Sequence, residues 1–430
     1  AAPFPPRLRR RRRRALEQRA LEQRNQRMFV GITNTPRPYA WGSTTAIAQL
    51  LGRESSGAPE AELWLGAHPG SPSVIIDPSR TGGATDLAAW IAADPQTTLG
   101  AYAASGRLPF LLKILAAASP LSLQAHPTAE QARLGFEREN DLGVPLDAPH
   151  RNYKDAFPKP ELIYALSPTF EALCGFRPLA EVRALLSALI DASLALEDPQ
   201  PQPLEDLLES LSGSDVALPE TFEWLIGNRT GVATLVSLVT TLAERGIGGY
   251  DAEMATVTAL AEEYPGDPGI VISLLLNRVT LAAGEALYLP AGNIHAYLHG
   301  LGVELMASSD NVLRGGLTPK HIDVPELLDV LDFTPGSVPY LEPSSPSAGI
   351  AEFTPGVPDF RLLRVDGMFL DASVALTGPA IAICTAGEVS IVGGASSASV
   401  VRGESVYITP DEGALRFTGS GTLFVATTGA

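Results

Sequence analysis

"GEALYLPAGNIH", residues 284–295, decides the fold. Gly284, Pro290, Gly292 and His295 stand at the spacing G-x5-P-x-G-x2-H. Glycine permits a tight hairpin that a Cβ would block, and proline fixes the turn. The histidine then emerges at the start of the next strand. A second stretch, "LSLQAHPTAE" at 121–130, complements it. Residues two apart in a β-strand share a face. Leu121, Leu123 and Ala125 therefore form one face, and Ser122, Gln124 and His126 the other. That pattern fits a strand with one wet face. It equally fits half of a metal site turned into a pocket.

The whole chain sets bounds on these readings. Its 430 residues predict two or three domains. Apolar residues make up 45% and charged residues 18%, as in a globular enzyme with substantial cores. The net charge of −17 is unevenly spread: residues 1–27 carry ten Arg and two Glu, leaving the rest at −25. A body this acidic does not bind nucleic acid broadly, and an anionic substrate needs a local cluster of Lys and Arg. Two cysteines, Cys174 and Cys384, cannot build a disulfide framework. A reducing, cytoplasmic setting is expected. No run of about 18 uncharged apolar residues marks a membrane span. The start, "RLRRRRRRALEQRALEQRNQRM", lacks the apolar core of a secretion signal. Residues 1–27 are read as a disordered basic extension, with folded sequence beginning at Met28.

Residues 28–177 read as short strands between Pro/Gly turns, including "SVIID" (73–77) and "LPFLLKIL" (108–115). Thr128 and Gln131 are spaced as a capping box, predicting a helix to about Asn140. Apolar residues at helical spacing fill 178–266, with Gly246 as a stop and Asp251 as an N-cap. This block is a helical insert, read as packing with one edge on the pocket. Strands return over 267–344, broken by a helix near 323–332 that Asp323 and Glu326 would cap. Residues 345–430 alternate as "SVYIT" and "TLFVATT" do, predicting an all-β sandwich or jelly roll.

The glycine–proline–histidine spacing resembles the second motif of the cupin superfamily, whose jelly-roll barrels hold a metal inside. The two candidate halves lie about 170 residues apart, so the fold must bring them together. A Zn²⁺ site takes four ligands, and Gln124, His126 and His295 supply three. Glu161 in "PKPELIYAL" is the fourth candidate. It enters an apolar strand, where an unpaired carboxylate would be costly and a metal would resolve the cost. One carboxylate among neutral ligands leaves Zn²⁺ net positive, as suits a Lewis acid facing an anionic intermediate.

Eight pieces then resemble, in order, the type I mannose-6-phosphate isomerases (phosphomannose isomerases). They are "YAWGS", "AELWLGAHP", "PFLLKIL", "LSLQAHP", "NYKDAFPKPE", "FEALCGFRP", "LPAGNIHAYLHG" and "ELMASSDNVLRGGLTPKH", spanning residues 39–321. The resemblance implies one zinc per chain on Gln124, His126, Glu161 and His295. It implies a mainly β fold: two cupin-like jelly-roll domains with an inserted α-helical domain. The catalytic cupin domain would comprise 28–177 and 267–344, the insert 178–266, and the second jelly roll 345–430. Two departures stand out. Ala40 replaces the usual acidic residue of a Y-D-W-G motif, and nothing before Met28 has a family counterpart.

The implied reaction interconverts mannose 6-phosphate and fructose 6-phosphate through a cis-enediol, whose developing oxyanion needs stabilisation. Arg314 is the family's electrostatic candidate, since its guanidinium stays charged and forks across two oxygens; the plain alternative is a structural salt bridge. Glu304, Asp310 and Lys159 are candidates for the proton-transfer base, with Glu304 first because it alternates with apolar neighbours in "GVELMAS". It could instead only orient a ligand. Lys113, Ser122 and Lys320 match the family's positions around the pocket mouth, where phosphate needs cations and hydroxyls. Lys113 lies in "FLLKIL", where a buried lysine without an anion is anomalous. Trp41 is expected to line the pocket, or equally to be core. His68, His299 and His321 are read as structural or as supports behind the site residues, His150 as surface and Cys174 as core. The partner is a small sugar phosphate, with no nucleic acid or membrane, and the chain is expected to be a monomer. Two rivals are a non-catalytic cupin sugar-phosphate sensor and another cupin metalloenzyme such as an oxygenase. The neutral Gln ligand and the phosphate-matched lysines weigh against the oxygenase. The full ligand set with Arg314 and Lys320 weighs against the sensor.

Overall fold

The computed structural model describes residues 28–213 and 217–429. The basic extension expected at 1–27 lies outside the described residues. The strands of the first half are β1 (Phe29–Thr33), β2 (Glu62–Leu65), β3 (Val74–Ile75), β4 (Phe110–Ala117), β5 (Gln124–Ala125), β6 (Glu161–Ala165) and β7 (Thr169–Phe176). After a helical stretch come β8 (Leu276–Ala282), β9 (Ala286–Leu289), β10 (His295–Ala307) and β11 (Leu313–Arg314). The last part holds β12 (Ser344–Ser347), β13 (Ile350–Phe353), β14 (Arg361–Ala375), β15 (Ala380–Val392), β16 (Ser397–Val401), β17 (Ser405–Ile408) and β18 (Ala414–Thr427).

Two antiparallel sheets result. The first runs β11-β5-β10-β4-β2, with β6 and β7 also pairing β10, β9 on β6 and β8 on β7. The second runs β12-β13-β14-β18-β15-β17-β1-β3, with β16 on β15. This is a mainly β, cupin-like architecture with a helical insert. The strand β10 organises the first sheet. Its start pairs with β5 and β7, and its end with β4 and β6. The strand switches partners at Gly300, whose φ is +133°. A Cβ there would sit 2.8 Å from Phe170 Cδ2, so only glycine lets the strand turn this corner.

The chain order hides one feature. β1 and β3 do not join the first sheet: Phe29 pairs with Ile408, and Ile32 with Ser405 and Ile75. Residues 28–177 therefore feed both sheets, which corrects the assignment of that whole stretch to the first. The reason is that β1 is apolar on both faces. Phe29 packs into the core of the second sheet, while Val30 and Ile32 pack into a core shared by both. Such a strand needs cover on each side, and a place inside the second sheet provides it.

Between β7 and β8 the chain is helical, with helices Leu179–Leu194, Gln202–Ser210, Ala217–Ile226, Val232–Arg245 and Asp251–Glu263. Gly246 ends the fourth at φ +76°. Asp251 is the first residue of the fifth helix, and Tyr250 occupies the N-cap without a side-chain bond. An acid there still favours the positive end of the helix dipole. The helix Ala129–Asp141 carries the expected Thr128/Gln131 capping box. Asp323 caps Val324–Val330 through Glu326 N, but Glu326 turns its own carboxylate to Tyr153 and Arg138 instead of completing a box. The insert shares one core with the barrel wall: Leu186, Phe222 and Val239 belong to the same cluster as Leu123, Ala125 and Leu313. The apolar face of β5 is thus buried against the insert. Its polar face is left to look the other way.

Candidate metal centre and active site

Three strands build the floor of the site. His295 opens β10, Gln124 on β5 is its cross-strand partner, and Arg314 on β11 is the next partner along. Cross-strand neighbours share a face, so these three side chains stand in a row. His126 follows two residues after Gln124, and its carbonyl accepts from Gly292 N at 2.8 Å. That bond joins the two halves of the sequence pattern directly. Gly292 has φ +79°, and a Cβ would come within 3.0 Å of Asp332 N and Val330 O. The glycine is therefore needed for the hairpin's conformation and for its close approach.

Glu161 opens β6 opposite Met306 and points into the same space. Ligand atoms of His126, Glu161 and His295 all lie within 4.8 Å of one another, and all three residues are buried. Gln124 Nε2 is 3.2 Å from His295 Nε2; an amide flip presents its oxygen instead. The ring tautomers follow from the carbonyls behind them. His126 Nδ1 lies 2.7 Å from Asn311 O, and His295 Nδ1 lies 3.0 Å from Asn293 O. A carbonyl only accepts, so each Nδ1 carries the proton and each Nε2 offers its lone pair inward. Burial first, then the charge of Lys159, pushes His126 down to about 4, which keeps the ring neutral.

The donor set fits zinc. His126 Nε2 and Glu161 Oε2 are buried without a hydrogen-bond partner. His126 Nε2 approaches Glu161 Oε1 at 3.4 Å and His295 Nε2 approaches Oε2 at 3.2 Å, but these contacts lack hydrogen-bond geometry. Orphaned polar atoms at this depth are costly. A cation among two neutral imidazoles, a carboxylate and an amide oxygen removes the cost. Burial opposes ionisation of Glu161, yet the Lys159 ammonium leads the opposing influences and the carboxyl is held well below its usual range. Lys159 Nζ is 2.9 Å from Glu161 Oε1.

Lys113 has a different neighbourhood from the one expected. Its ammonium lies 2.8 Å from Glu304 Oε2 and 3.3 Å from Glu62 Oε1. Burial disfavours its charge, but Glu304, Glu62 and Glu161 together push its pKa up. The anion that a buried lysine requires is thus supplied by carboxylates of β10 and β2, which removes the argument for a phosphate at this position. Burial raises the Glu304 carboxyl, Lys113 works against that, and Glu161 and Glu62 add to it.

Beyond Gln124, along the same row, the cavity is cationic. Arg314 donates to Ser122 Oγ at 3.1 Å. Lys320 is pulled down by the nearby Arg314 charge and then by burial. Among the described residues, neither cation has an acidic partner at ion-pair distance. Two cations beside a hydroxyl, with no carboxylate between them, make a seat for an anion. Asp310 pairs with His68 Nε2 at 3.0 Å; burial would raise its pKa, but the His68 contact outweighs it. One cavity of about 1110 Å³ takes in the donor set and these cations, lined by Lys113, Gln124, Glu161, Glu304, Arg314 and Lys320 among others. Trp41 lines it, stacked on Tyr39 at 5.8 Å between centroids, and also packs on the core behind.

Sequence reasoning passed over Glu62, Tyr297 and Asn311. Glu62 alternates with apolar neighbours in "AELWLGAHP", the same signal that singled out Glu304. Tyr297 is fully buried at the cavity wall. Asn311 is fully buried: its Oδ1 accepts from Lys154 N, and its Nδ2 donates to the carbonyls of Asp155 and Phe157. His68 takes the supporting role among its two readings, since it holds Asp310. His299 and His150 are exposed, and His321 is exposed at the cavity rim. Cys174 is buried, and burial pushes its thiol up to about 12, which rules out a resting thiolate.

Known proteins match this arrangement. A model of the phosphomannose isomerase type I catalytic domain matches residues 29–179. The mannose-6-phosphate isomerase of Escherichia coli (strain K12) is 37% identical over 401 residues, covering 91% of this chain and 97% of that protein. The Homo sapiens enzyme of the same name is 36% identical over 352 residues, covering 76% and 79%. A crystal structure of zinc-bound mannose 6-phosphate isomerase superposes with a TM-score of 0.82 at 34% identity, covering 94% of this chain and all of that one. The apo form from Salmonella typhimurium gives 0.82 and 34%, covering 94% and 99%. With this identity sustained over nine-tenths of its length, the chain belongs to the type I phosphomannose isomerase family.

Proposed function

We propose that this chain is a zinc-dependent aldose–ketose isomerase that interconverts mannose 6-phosphate and fructose 6-phosphate through a cis-enediol. The observation that carries the reading is the polarity of one cavity. Gln124 with the buried His126, Glu161 and His295 forms a donor set, and beside it stand the cations Arg314 and Lys320, which among the described residues have no acidic partner at ion-pair distance. Zinc, when bound by those four residues, supplies Lewis-acid polarisation of the sugar oxygens.

The remaining work falls to side chains. Arg314 sits in register with Gln124, so its guanidinium faces the oxygens that gain charge as the enediolate forms. Lys320 and Ser122 hold the phosphate, with Trp41 along the wall. Glu304 is the first candidate for moving the proton between C1 and C2. Its raised pKa suits a base working near neutrality, and Lys113 at 2.8 Å steadies the charged form. Asp310, already held as a carboxylate by His68, and Lys159, engaged by Glu161, are the alternatives.

The chain works as a monomer in the cytoplasm on a free sugar phosphate, with no nucleic acid involved. Both cysteines are free and buried, and no described helix is long and apolar enough to cross a membrane. The five-part division of the chain stands as a proposal about folding units, with β1 and β3 reassigned as above. Turnover of mannose 6-phosphate by the purified protein, with and without a chelator, tests the reading. Activity abolished by chelation and restored by zinc is expected. Full turnover in metal-stripped protein would overturn it.

A further inference from the structure

Among the described residues, only Asn228 and Leu317 combine a side chain beyond glycine with a positive φ. Asparagine tolerates that region. Leucine does not, and Leu317 sits at φ +54° with its side chain fully buried. Such a conformation persists only where the surroundings impose it. Two sets of contacts do so. On one side, Leu123 N donates to Gly316 O at 3.1 Å, and Gly315 N donates to Leu123 O at 2.8 Å. The segment is thereby stitched to the residue between Ser122 and Gln124. On the other side lies the turn that follows the last long helix of the insert. A Cβ on Gly269 would lie 2.7 Å from Leu317 Cγ, so the leucine packs directly on that glycine. Asp267 Oδ1 accepts from Gly269 N at 2.7 Å, and its Oδ2 accepts from Thr318 N at 3.4 Å. Thr318 Oγ1 then accepts from Lys320 N at 3.2 Å, which fixes the turn that presents Lys320.

We infer that Leu317 is a positioning residue for the cationic side of the cavity: clamped in the left-handed conformation between β5 and the Asp267–Gly269 turn that leads out of the insert, it sets where Thr318 and Lys320 stand. The inference rests on the sugar-phosphate reading above and deepens it, because it gives the junction between the helical insert and the barrel a share in substrate selection. A leucine is worth its strain at this point because its side chain anchors the turn in a core. A glycine would adopt the backbone angle freely but would release the turn.

Three variants test it: Leu317→Gly, which frees the backbone and deletes the anchor; Gly269→Ala, which pushes on the clamp from the insert side; and Lys320→Ala as the reference. The readouts are the ratio of kcat/KM for mannose 6-phosphate to that for mannose, inhibition by inorganic phosphate, and zinc per chain. Leu317→Gly and Gly269→Ala are each expected to lower the ratio by about tenfold or more, since displacements near 1 Å carry costs of this order. Phosphate inhibition should weaken in parallel while zinc stays bound. If Lys320→Ala lowers the ratio and the two clamp variants do not, the inference is overturned and the proposed function stands. If Lys320→Ala leaves the ratio unchanged, the phosphate assignment of that corner fails and takes the inference with it. Loss of zinc in step with the ratio would reduce the effect to general unfolding and also overturn it. Should Leu317→Gly not fold, Gly269→Ala decides alone, because it removes no core side chain.

Discussion

The two sheets bury carboxylates in opposite ways. In the second, Glu412 is 1% exposed, and its oxygens accept from Ala395 N at 3.1 Å, Ser396 N at 3.3 Å and Ser396 Oγ. The charge is satisfied within one turn, and the sheet's own core is otherwise apolar, from Phe29 to Val425. In the first, Glu161 and Glu304 are also buried, but both face a cavity: Glu161 keeps Oε2 without a hydrogen-bond partner, and Glu304 leans on the Lys113 ammonium 2.8 Å from its Oε2. Similar strand architecture thus serves packing in one half and chemistry in the other. The difference lies in which buried charges are left incomplete.

The contrast can be broken at either end. The largest effect is expected from Glu161→Gln, which keeps size but removes the anchoring charge. Zinc content and turnover should fall together, turnover by on the order of 10³-fold. Elemental analysis beside a turnover assay checks this, and full activity with zinc retained would mean that Glu161 is structural. Arg314→Ala should keep its zinc and lose on the order of 10²-fold in kcat/KM. Near-wild-type turnover with zinc present would refute the electrostatic role.

In the other half the sign reverses. Glu412→Ala strips an acceptor from two backbone donors and should cost about 2–3 kcal/mol of stability. Below the melting transition kcat/KM should change by less than about twofold, because the residue touches no part of the cavity. Denaturant melts and kinetics on the same preparation separate the two. A large kinetic effect would show that the second sheet is coupled to the site. The smallest effect belongs to Phe369, 94% exposed on β14. Phe369→Ser should move stability by less than about 0.5 kcal/mol, and a larger loss would reveal an unrecognised contact.

The proposed metal ligands are legible because each carries a local signal. His295 followed a hairpin, Gln124 and His126 alternated with apolar neighbours, and Glu161 entered an apolar strand. Lys113 was legible only in part. Its burial was foreseen, but its partner depended on register: Lys113 lies opposite Glu304 on β10 and opposite Trp64 on β2, beside Glu62. Register across strands distant in sequence leaves no mark within either strand. The same holds for β1, whose "FVGIT" reads as a strand without naming its neighbour. Leu317 left no trace at all, because a backbone angle imposed by tertiary contacts is absent from a residue's type.

The placement of β1 bears on how the protein is made. Met28 N donates to Thr409 Oγ1 across 381 positions of chain, and β1 closes the second sheet between β17 and β3. During synthesis this strand leaves the ribosome well before its β17 partner. Until then it presents unpaired backbone and two apolar faces, the kind of edge that other chains can capture. Pairing so distant in sequence also slows folding, since a very long loop must close first. A fragment ending at residue 344 would keep every proposed zinc ligand but leave β1 unpaired on its β17 side. Nascent chains of this protein therefore carry β1 open on that side until residues 405–408 have emerged.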